Sequence, residues 1–201
     1  MRIAVFAVSA LAATAFAAPA FAQDAESTHS GPRAEAVVGW DHIQDPTGGA
    51  GDSADGVVYG GALGYDFDLG GAVVGIEGEA TGSTTKSTQV GIVGANDSLT
   101  AQAGRDLYIG GRVGFNAGPA LIYAKGGYTN ARIKARYNDG ATITETSENL
   151  DGYRLGAGVE VPVGGKVYLK GEYRYSNYRD MDGFDVDLDR HQVVGGVGIR
   201  F

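Results

Sequence analysis

The sequence predicts an all-β protein: an eight-stranded antiparallel up-and-down transmembrane barrel with short turns at one end and long loops at the other. Eight segments alternate between apolar and polar residues with the two-residue period of a β-strand. The charged residues of these segments fall on one face, with Arg105 as the exception. The last segment ends at Phe201 with its apolar face uncovered, which suits a strand that contacts lipid.

The first 22 residues have the pattern of a secretory signal peptide. Arg2 gives a positive start, residues 3–16 form an apolar run, and Ala20-Phe21-Ala22 supplies the small residues of a cleavage site. A membrane-spanning anchor is the alternative, but the run is short for one. We therefore predict three regions along the chain: a signal peptide over 1–22, a disordered periplasmic lead-in over 23–32 and the barrel domain over 33–201.

Composition excludes several classes of function. The 201 residues include 16 Lys and Arg against 24 Asp and Glu, which gives a net charge of −8. Because nucleic-acid binding needs clustered basic residues, we expect no nucleic-acid partner. The absence of cysteine excludes thiol chemistry and cysteine metal sites. The 34 glycines follow no collagen-like period and suit strands that face a crowded barrel interior.

The predicted strands are separated by connections that alternate in length. The strands cover residues 34–41, 57–68, 72–81, 101–115, 120–129, 152–161, 167–176 and 191–201. Short turns rich in Gly, Asn and Pro fall at 69–71, 116–119 and 162–165. Long polar loops fall at 42–56, 82–100, 130–151 and 177–190. Short periplasmic turns and long extracellular loops are typical of bacterial outer-membrane barrels.

The charges of the strands are expected to lie inside the barrel, because a charge at mid-depth on the lipid face costs about 2–4 kcal/mol. Near mid-barrel the sequence predicts a lumen charge network of Glu77, Glu79, Arg112, Lys125, Arg154, Lys170, Glu172 and Arg174. The same face carries Glu35, Asp41, Asp66, Asp106, Glu160 and Arg200. Opposite charges in a narrow lumen should pair, since an unpaired buried charge is costly. We interpret the network as a salt-bridged plug that fills the lumen. A narrow or gated ion path is the alternative.

Aromatic residues on the apolar face predict two belts at the membrane interfaces. At the turn end of the strands lie Phe67, Phe115 and Phe201. Toward the loop end lie Trp40, Tyr59, Tyr128, Tyr153, Tyr173 and Tyr175. A water-soluble, lipocalin-like eight-stranded barrel is the alternative, which would bury its apolar face and which periodicity alone does not exclude.

Three segments carry a resemblance to a known family. The segments are Gly61-Ala62-Leu63-Gly64-Tyr65-Asp66-Phe67, Ile122-Tyr123-Ala124-Lys125-Gly126-Gly127-Tyr128 and the strand ending at Phe201. They resemble the OmpA-like and opacity-porin-like family of eight-stranded barrels in the Gram-negative outer membrane. The resemblance implies a structural or surface-interacting role in the cell envelope. This role would be envelope integrity, adhesion to host or cell surfaces through the loops, or the display of loops that are exposed to the immune system. It also implies that the Phe201 strand is an assembly signal read by the barrel-assembly machinery.

A small porin-like diffusion pore is the second functional hypothesis, and a lipid-active outer-membrane enzyme is the third. The enzyme would need a serine near a histidine, together with an orienting carboxylate. Neither His42 nor His191 has an adjacent serine, and His29-Ser30 lies in the lead-in. We therefore expect no enzyme, no catalytic or metal-binding residue and no cofactor.

A row of basic residues predicts a contact with lipopolysaccharide. If the fifth strand continues upward, Arg132, Lys134 and Arg136 project outward beside Arg105, where lipopolysaccharide phosphates lie. Guanidinium and ammonium groups pair well with phosphate. A solvated loop is the alternative.

The acidic segment 180–189 has the composition of a calcium loop without the ligand order and terminal Glu of an EF-hand. We interpret it as a solvated acidic loop, with calcium binding as the alternative.

Overall fold

The structure, a computed structural model, describes residues 29–44, 53–90, 97–138, 142–179 and 187–201. The described residues form strands β1 Gly31–Gln44, β2 Ser53–Asp68, β3 Ala72–Ser83, β4 Lys86–Val90, β5 Ser98–Ala117, β6 Ala120–Asn138, β7 Ile143–Gly164, β8 Val167–Arg179 and β9 Asp187–Arg200. In this part of the chain no helix is long and apolar enough to cross a membrane.

Eight of the strands close into an antiparallel barrel. Strands β1 to β3 and β5 to β9 each pair with their neighbours, β3 pairs with β5, and β1 pairs with β9 to complete the ring. At the closure His42 lies opposite His191 and Ala36 lies opposite Val197. Because the ring has no free edge, the strands satisfy their backbone hydrogen bonds within the protein, as a lipid environment requires. The predicted fold is confirmed.

Strand β4 is a ninth, short strand that the sequence did not predict. Thr84 and Thr85 join it to β3 and remain bonded to the neighbouring strands, through Thr84 N to Val57 O at 2.9 Å and Ala103 N to Thr85 O at 3.0 Å. β4 then pairs with the outer part of β5, from Lys86 opposite Gln102 to Val90 opposite Ser98. It therefore continues the wall that β3 begins.

The short turns contain glycine where the backbone requires it. Gly70 and Gly71 between β2 and β3 have φ of 85° and 116°, and Gly118 between β5 and β6 has φ of 64°. These values lie in the left-handed region that residues with a Cβ avoid. Asp68 accepts a hydrogen bond from Gly70 N at 2.9 Å. The backbone N–H groups of Gly70 and then Gly71 lower the pKa of Asp68 below its ordinary value.

The strands extend further at the other end than the sequence predicted. β6 and β7 remain paired up to Asn138 opposite Ile143, and β5 pairs with β6 as far as Ser98 opposite Asn138. The predicted loop bounds 82–100 and 130–151 were therefore wrong, because most of these residues belong to β4, β5, β6 and β7. The predicted loops 42–56 and 177–190 are also shorter than expected, since β1, β2, β8 and β9 extend into them.

Two further boundaries differ at the periplasmic end. β1 begins at Gly31, so Gly31 and Pro32 belong to the barrel and not to the predicted lead-in. β7 continues to Gly164, with a register shift after Pro162, so the third turn is shorter than 162–165. The predicted signal peptide, 1–22, lies outside the described residues.

Polarity is segregated between the two faces of the wall. Leu63, Ile109 and Val197 are 69%, 67% and 47% exposed, whereas Arg112 and Glu172 are 4% and 3% exposed. A barrel stable in water would bury the first set and expose the second. The arrangement instead suits hydrocarbon around the barrel and excludes the lipocalin-like alternative.

The outer end of the barrel holds a small apolar core inside the wall. Ala131, Leu150 and Tyr178 are buried together, with Ile133 and Leu188 packed against them. A cavity of 20 Å³ lies among these side chains, with about the room that one water molecule needs. At the height of Ala131 and Leu150, the inward side of the wall is therefore largely apolar.

Candidate functional site: the lumen and the outer face

Inward-pointing side chains of the eight barrel strands form one ion-paired network. Ion pairs join the cations Arg33, Arg112, Lys125, Arg154, Lys170, Arg174, Arg190 and Arg200 to the carboxylates Glu35, Asp41, Asp66, Glu77, Glu79, Asp106, Glu160 and Glu172. All of them except Arg200 are buried. The eight positive and eight negative groups balance.

At the periplasmic end, Asp66 on β2 is the centre of the network. It accepts hydrogen bonds from Arg112 Nη2 at 2.5 Å and from Arg200 Nη2 at 2.9 Å. Arg33 lies 3.2 Å from the same carboxylate. Glu160 on β7 binds both Arg112 and Arg200, so this layer ties together β1, β2, β5, β7 and β9.

At mid-barrel, Lys125 on β6 is surrounded by carboxylates. Its Nζ lies 2.7 Å from Glu77, 2.8 Å from Glu172 and 3.7 Å from Glu79. Lys170 on β8 pairs with Glu35 and lies 3.4 Å from Glu172. This layer links strands across the barrel as well as side by side.

Toward the outer end, two carboxylates continue the chain of pairs. Glu79 accepts hydrogen bonds from Arg154 Nη1 at 3.0 Å and from both terminal nitrogens of Arg174, at 2.7 and 2.6 Å. Asp106 binds Arg154, and it accepts a hydrogen bond from Arg190 Nη1 at 2.8 Å. Arg190 in turn donates to Asp41 at 2.7 and 2.8 Å. The pairs therefore run without interruption from Arg200 to Asp41.

Tyrosine rings fill the space between the ionic layers. Tyr123 donates its hydroxyl to Glu172 at 2.5 Å, and Tyr168 donates to Glu35 at 2.7 Å. Lys125 Nζ lies 4.9 Å from the ring centre of Tyr108, a distance at which the cation is attracted to the ring. Gly110 leaves room for this ring, since a Cβ there would overlap the Tyr108 hydroxyl.

All eight predicted lumen residues lie within this network, which has further members at the strand ends. Arg33 precedes the predicted first strand, and Arg190 precedes the predicted last one. Each continues the inward alternation, two residues before Glu35 and Gln192 respectively. That continued alternation was the signal that could have identified them.

The predicted belt residues all point outward. Trp40, Tyr59, Phe67, Phe115, Tyr128, Tyr153, Tyr173 and Phe201 are exposed, and Tyr175 is half-exposed. Tyr65 was not among the predicted belt residues, but its ring centre lies 4.8 Å from that of Phe67 on the same face. These rings border the apolar surface at both ends.

A repeated side-chain arrangement sits at the outer belt. Tyr128 and Asn130 donate hydrogen bonds to Asp151 on the neighbouring strand, at 2.5 and 2.6 Å. In the same way, Tyr175 and Asn177 donate to Asp189, at 2.6 and 3.1 Å. The signal in the sequence is the repeated Tyr-x-Asn at 128–130 and 175–177. Each group fixes an outward tyrosine to the next strand.

The histidines at the outer rim have partners other than serine. His42 Nδ1 lies 2.8 Å from Asp55, and His191 Nδ1 lies 2.7 Å from the Tyr173 hydroxyl. Among the residues that the structure describes, no group of three His, Asp or Glu side chains is placed to hold a metal ion. The acidic segment predicted at 180–189 lies largely outside those residues, and only 187–189 are described, in β9.

The four predicted lipopolysaccharide contacts lie on strands and not in a loop. Arg105 is on β5, and Arg132, Lys134 and Arg136 are on β6. Arg105, Lys134 and Arg136 are exposed, and Arg132 is half-buried. The structure thus brings them together on one outward surface.

A closed barrel with an apolar exterior, two aromatic belts and a charged interior defines an integral outer-membrane β-barrel protein. The family model of the outer membrane protein beta-barrel domain matches residues 8–201, and the chain belongs to this family. The predicted family and outer-membrane location are confirmed.

Relatives and solved structures agree with this assignment. The chain is 30% identical to a 22 kDa outer membrane protein of Rhizobium leguminosarum bv. viciae over 69% of its own length and 63% of the relative's. It is 28% identical to the 25 kDa outer-membrane immunogenic protein of Brucella abortus, over 81% of this chain and 74% of that one. The chain thus spans a little less than two thirds of the Rhizobium relative.

Two crystal structures share the fold at low sequence identity. Neisserial surface protein A aligns with a TM-score of 0.55 and 16% identity, over 86% of this chain and 98% of that one. Ail of Yersinia pestis, solved with the heparin analogue sucrose octasulfate, aligns with a TM-score of 0.52 and 13% identity, over 85% and 99%.

Proposed function

We propose that this protein is a structural and surface-interacting barrel of the outer membrane whose lumen does not conduct. The observation that carries the proposal is the unbroken series of ion pairs from Arg200 to Asp41. All its members except Arg200 are buried, and their charges balance, so they form a filled interior and not a charged channel wall.

The cost of opening the lumen supports a closed state. Breaking one buried ion pair typically costs about 3–5 kcal/mol, because the remaining charge is left uncompensated. Glu77, Glu79 and Glu172 all lie around Lys125, so a path through mid-barrel would separate several pairs at once. Such a concerted rupture would be rare at ordinary temperature.

Conductance in planar bilayers tests this proposal. We expect the purified wild-type protein to give no stable openings. The double variant Glu79→Ala/Arg174→Ala removes a doubly hydrogen-bonded pair and serves as the control that an opened lumen is detectable. Stable, large openings of the wild-type protein would instead support the diffusion pore.

The surface-interacting part of the proposal concerns the outer end of the barrel. β5, β6 and β7 are the longest described strands and extend well beyond the outer belt. The names of the Brucella relatives record an immune response, and Ail was crystallised with a heparin analogue. These names support a contact of the extended wall with host or cell surfaces, and the outer-membrane location supports lipopolysaccharide around it.

The same proposal includes no catalytic role. Both rim histidines use Nδ1 for Asp55 and Tyr173, and neither is hydrogen-bonded to a serine among the described residues. A lipid-active enzyme would need such a nucleophile.

A further inference from the structure

The outer face of β4, β5 and β6 carries a group of neighbouring cations, two of them at one height. Lys86 on β4 lies opposite Gln102 on β5, and Gln102 lies opposite Lys134 on β6. Lys86 and Lys134 therefore flank one residue on the same side of the sheet. Arg136 stands two residues further out on β6 and lies opposite Thr100.

A bulge in β5 adds a further arginine to this group. The register between β5 and β6 shifts between Ala103, which is opposite Ile133, and Asp106, which is opposite Ala131. Gly104 and Arg105 therefore both face Arg132. Gly104 approaches so closely that a Cβ there would lie 2.7 Å from the Arg132 carbonyl oxygen. The bulge thus keeps Arg105 outward and next to Arg132.

Among the described residues, most of these cations have no protein counter-charge, unlike those in the lumen. Lys86, Arg105 and Lys134 form no ion pair with any described residue, and Arg136 lies 3.7 Å from Glu145 in an exposed pair. Arg132 donates from Nη2 to Ser147 at 2.7 Å, while its buried Nε has no hydrogen-bond partner among the described residues. The face therefore offers positive charge and donors that the described residues leave largely unpaired.

The height of this face matches the headgroup region. Arg132 lies four residues beyond the belt residue Tyr128 on the same side of β6. At about 3.3 Å per residue this is about 13 Å along the strand, or about 10 Å along the membrane normal for a strand tilted by about 40°. Below the face, Leu107 and Ile109 present exposed apolar side chains to the acyl region.

We propose that this cationic face (Lys86, Arg105, Arg132, Lys134 and Arg136) is a binding site for the phosphate groups of one phosphorylated glycolipid of the outer leaflet. The inference rests on the proposed function only in placing the barrel in a lipopolysaccharide-containing leaflet. Arginine fits phosphate through paired hydrogen bonds, and two lysines add charge. Because the cations stand on a paired sheet, their backbone is already ordered, and only side-chain freedom is lost on binding.

The test uses the full-length protein in phosphatidylcholine nanodiscs, with bisphosphorylated lipid A, dephosphorylated lipid A and inorganic phosphate as separate probes. We expect the Arg132→Gln/Lys134→Glu variant to bind bisphosphorylated lipid A at least tenfold more weakly than wild type. The control Lys166→Glu makes the same Lys-to-Glu change in the exposed β7–β8 turn at the other end, and should stay within twofold. A heat-modifiability gel verifies that each variant is folded.

The outcomes separate the sources of binding. Binding of bisphosphorylated lipid A without binding of the dephosphorylated form supports the proposal, and weak binding of inorganic phosphate adds that the lipid body contributes. The proposal is overturned by equal affinity of the variant and wild type, by an equal loss in Lys166→Glu, or by equal binding of dephosphorylated lipid A. None of these results depends on conductance, so they leave the closed lumen to its own test.

Discussion

Charged residues in this barrel differ in how much they contribute to stability, according to the side of the wall on which they lie. Arg154 is fully buried and binds Glu79, Asp106 and Ser176. Among the described residues, Arg136 pairs only with Glu145, and both side chains are more than half exposed. The same chemical pair is therefore costly to break in the lumen and nearly free at the surface.

We expect Arg154→Met to lower the free energy of unfolding by about 3–5 kcal/mol, because it leaves buried carboxylates short of a partner. The matched variant Arg136→Met should lower it by less than about 1 kcal/mol. Urea unfolding in lipid vesicles, followed by tryptophan fluorescence from Trp40, measures both values. Equal effects would contradict the difference between lumen and surface.

At this scale the sequence predicted most of the site. Glu77, Lys125 and Glu172 were recognisable because each is a charge on the polar side of a strand with an apolar opposite side. Pair identities were not predictable, since they depend on which strands face each other across the lumen. Arg105 was recognised as outward, but nothing in the sequence marks the bulge that places it beside Arg132.

The strands themselves follow two different rules along their length. Within the membrane the outward positions are apolar and the inward ones charged, as at Tyr128 and Lys125 on β6. Beyond the belt on β6 the outward positions are charged and the inward ones apolar, as at Arg132 and Ile133. The two-residue alternation continues, but the apolar residues change from the outward to the inward side. A search of the sequence for strands with an apolar outward face therefore ends at the belt. That inversion explains why the predicted strand on β6 ended near 129.

The β6–β7 extension can be shortened without changing register. Ile133 lies opposite Glu148, so replacing 134–147 by Asn-Gly would close a short hairpin. We expect the variant to assemble normally, because the lumen network lies below the cut. It should lose the proposed adhesion to host epithelial cells, because most of the extended wall is removed. Cell-binding counts, with surface proteolysis as a measure of assembly, test this. Undiminished adhesion would place the contact elsewhere.

The whole molecule depends on a closure made by its last strand. β9 pairs with both β8 and β1, and Phe201 N donates to Pro32 O at 2.9 Å. The Phe201 ring is 62% exposed and so adds little to packing within the protein. Its proposed role is recognition by the barrel-assembly machinery.

We expect Phe201→Ser to reduce the amount of protein in the outer membrane several-fold in cells while leaving unfolding in vesicles nearly unchanged. Phe115→Ser removes another exposed phenylalanine from the same belt and is the control, with a near-normal amount expected. Membrane fractionation measures the level. An equal loss in both variants would assign the effect to the belt and not to an assembly signal.

The balance of eight cations and eight carboxylates in the lumen has an electrostatic consequence for the exterior. Since those groups cancel, the net charge of −8 belongs to the rest of the chain. The isoelectric point, about 4.8 from the sequence, therefore reflects the acidic excess of the residues outside the network. Sequence changes outside the network can therefore alter the net charge that the protein presents to its surroundings without breaking an ion pair inside the wall.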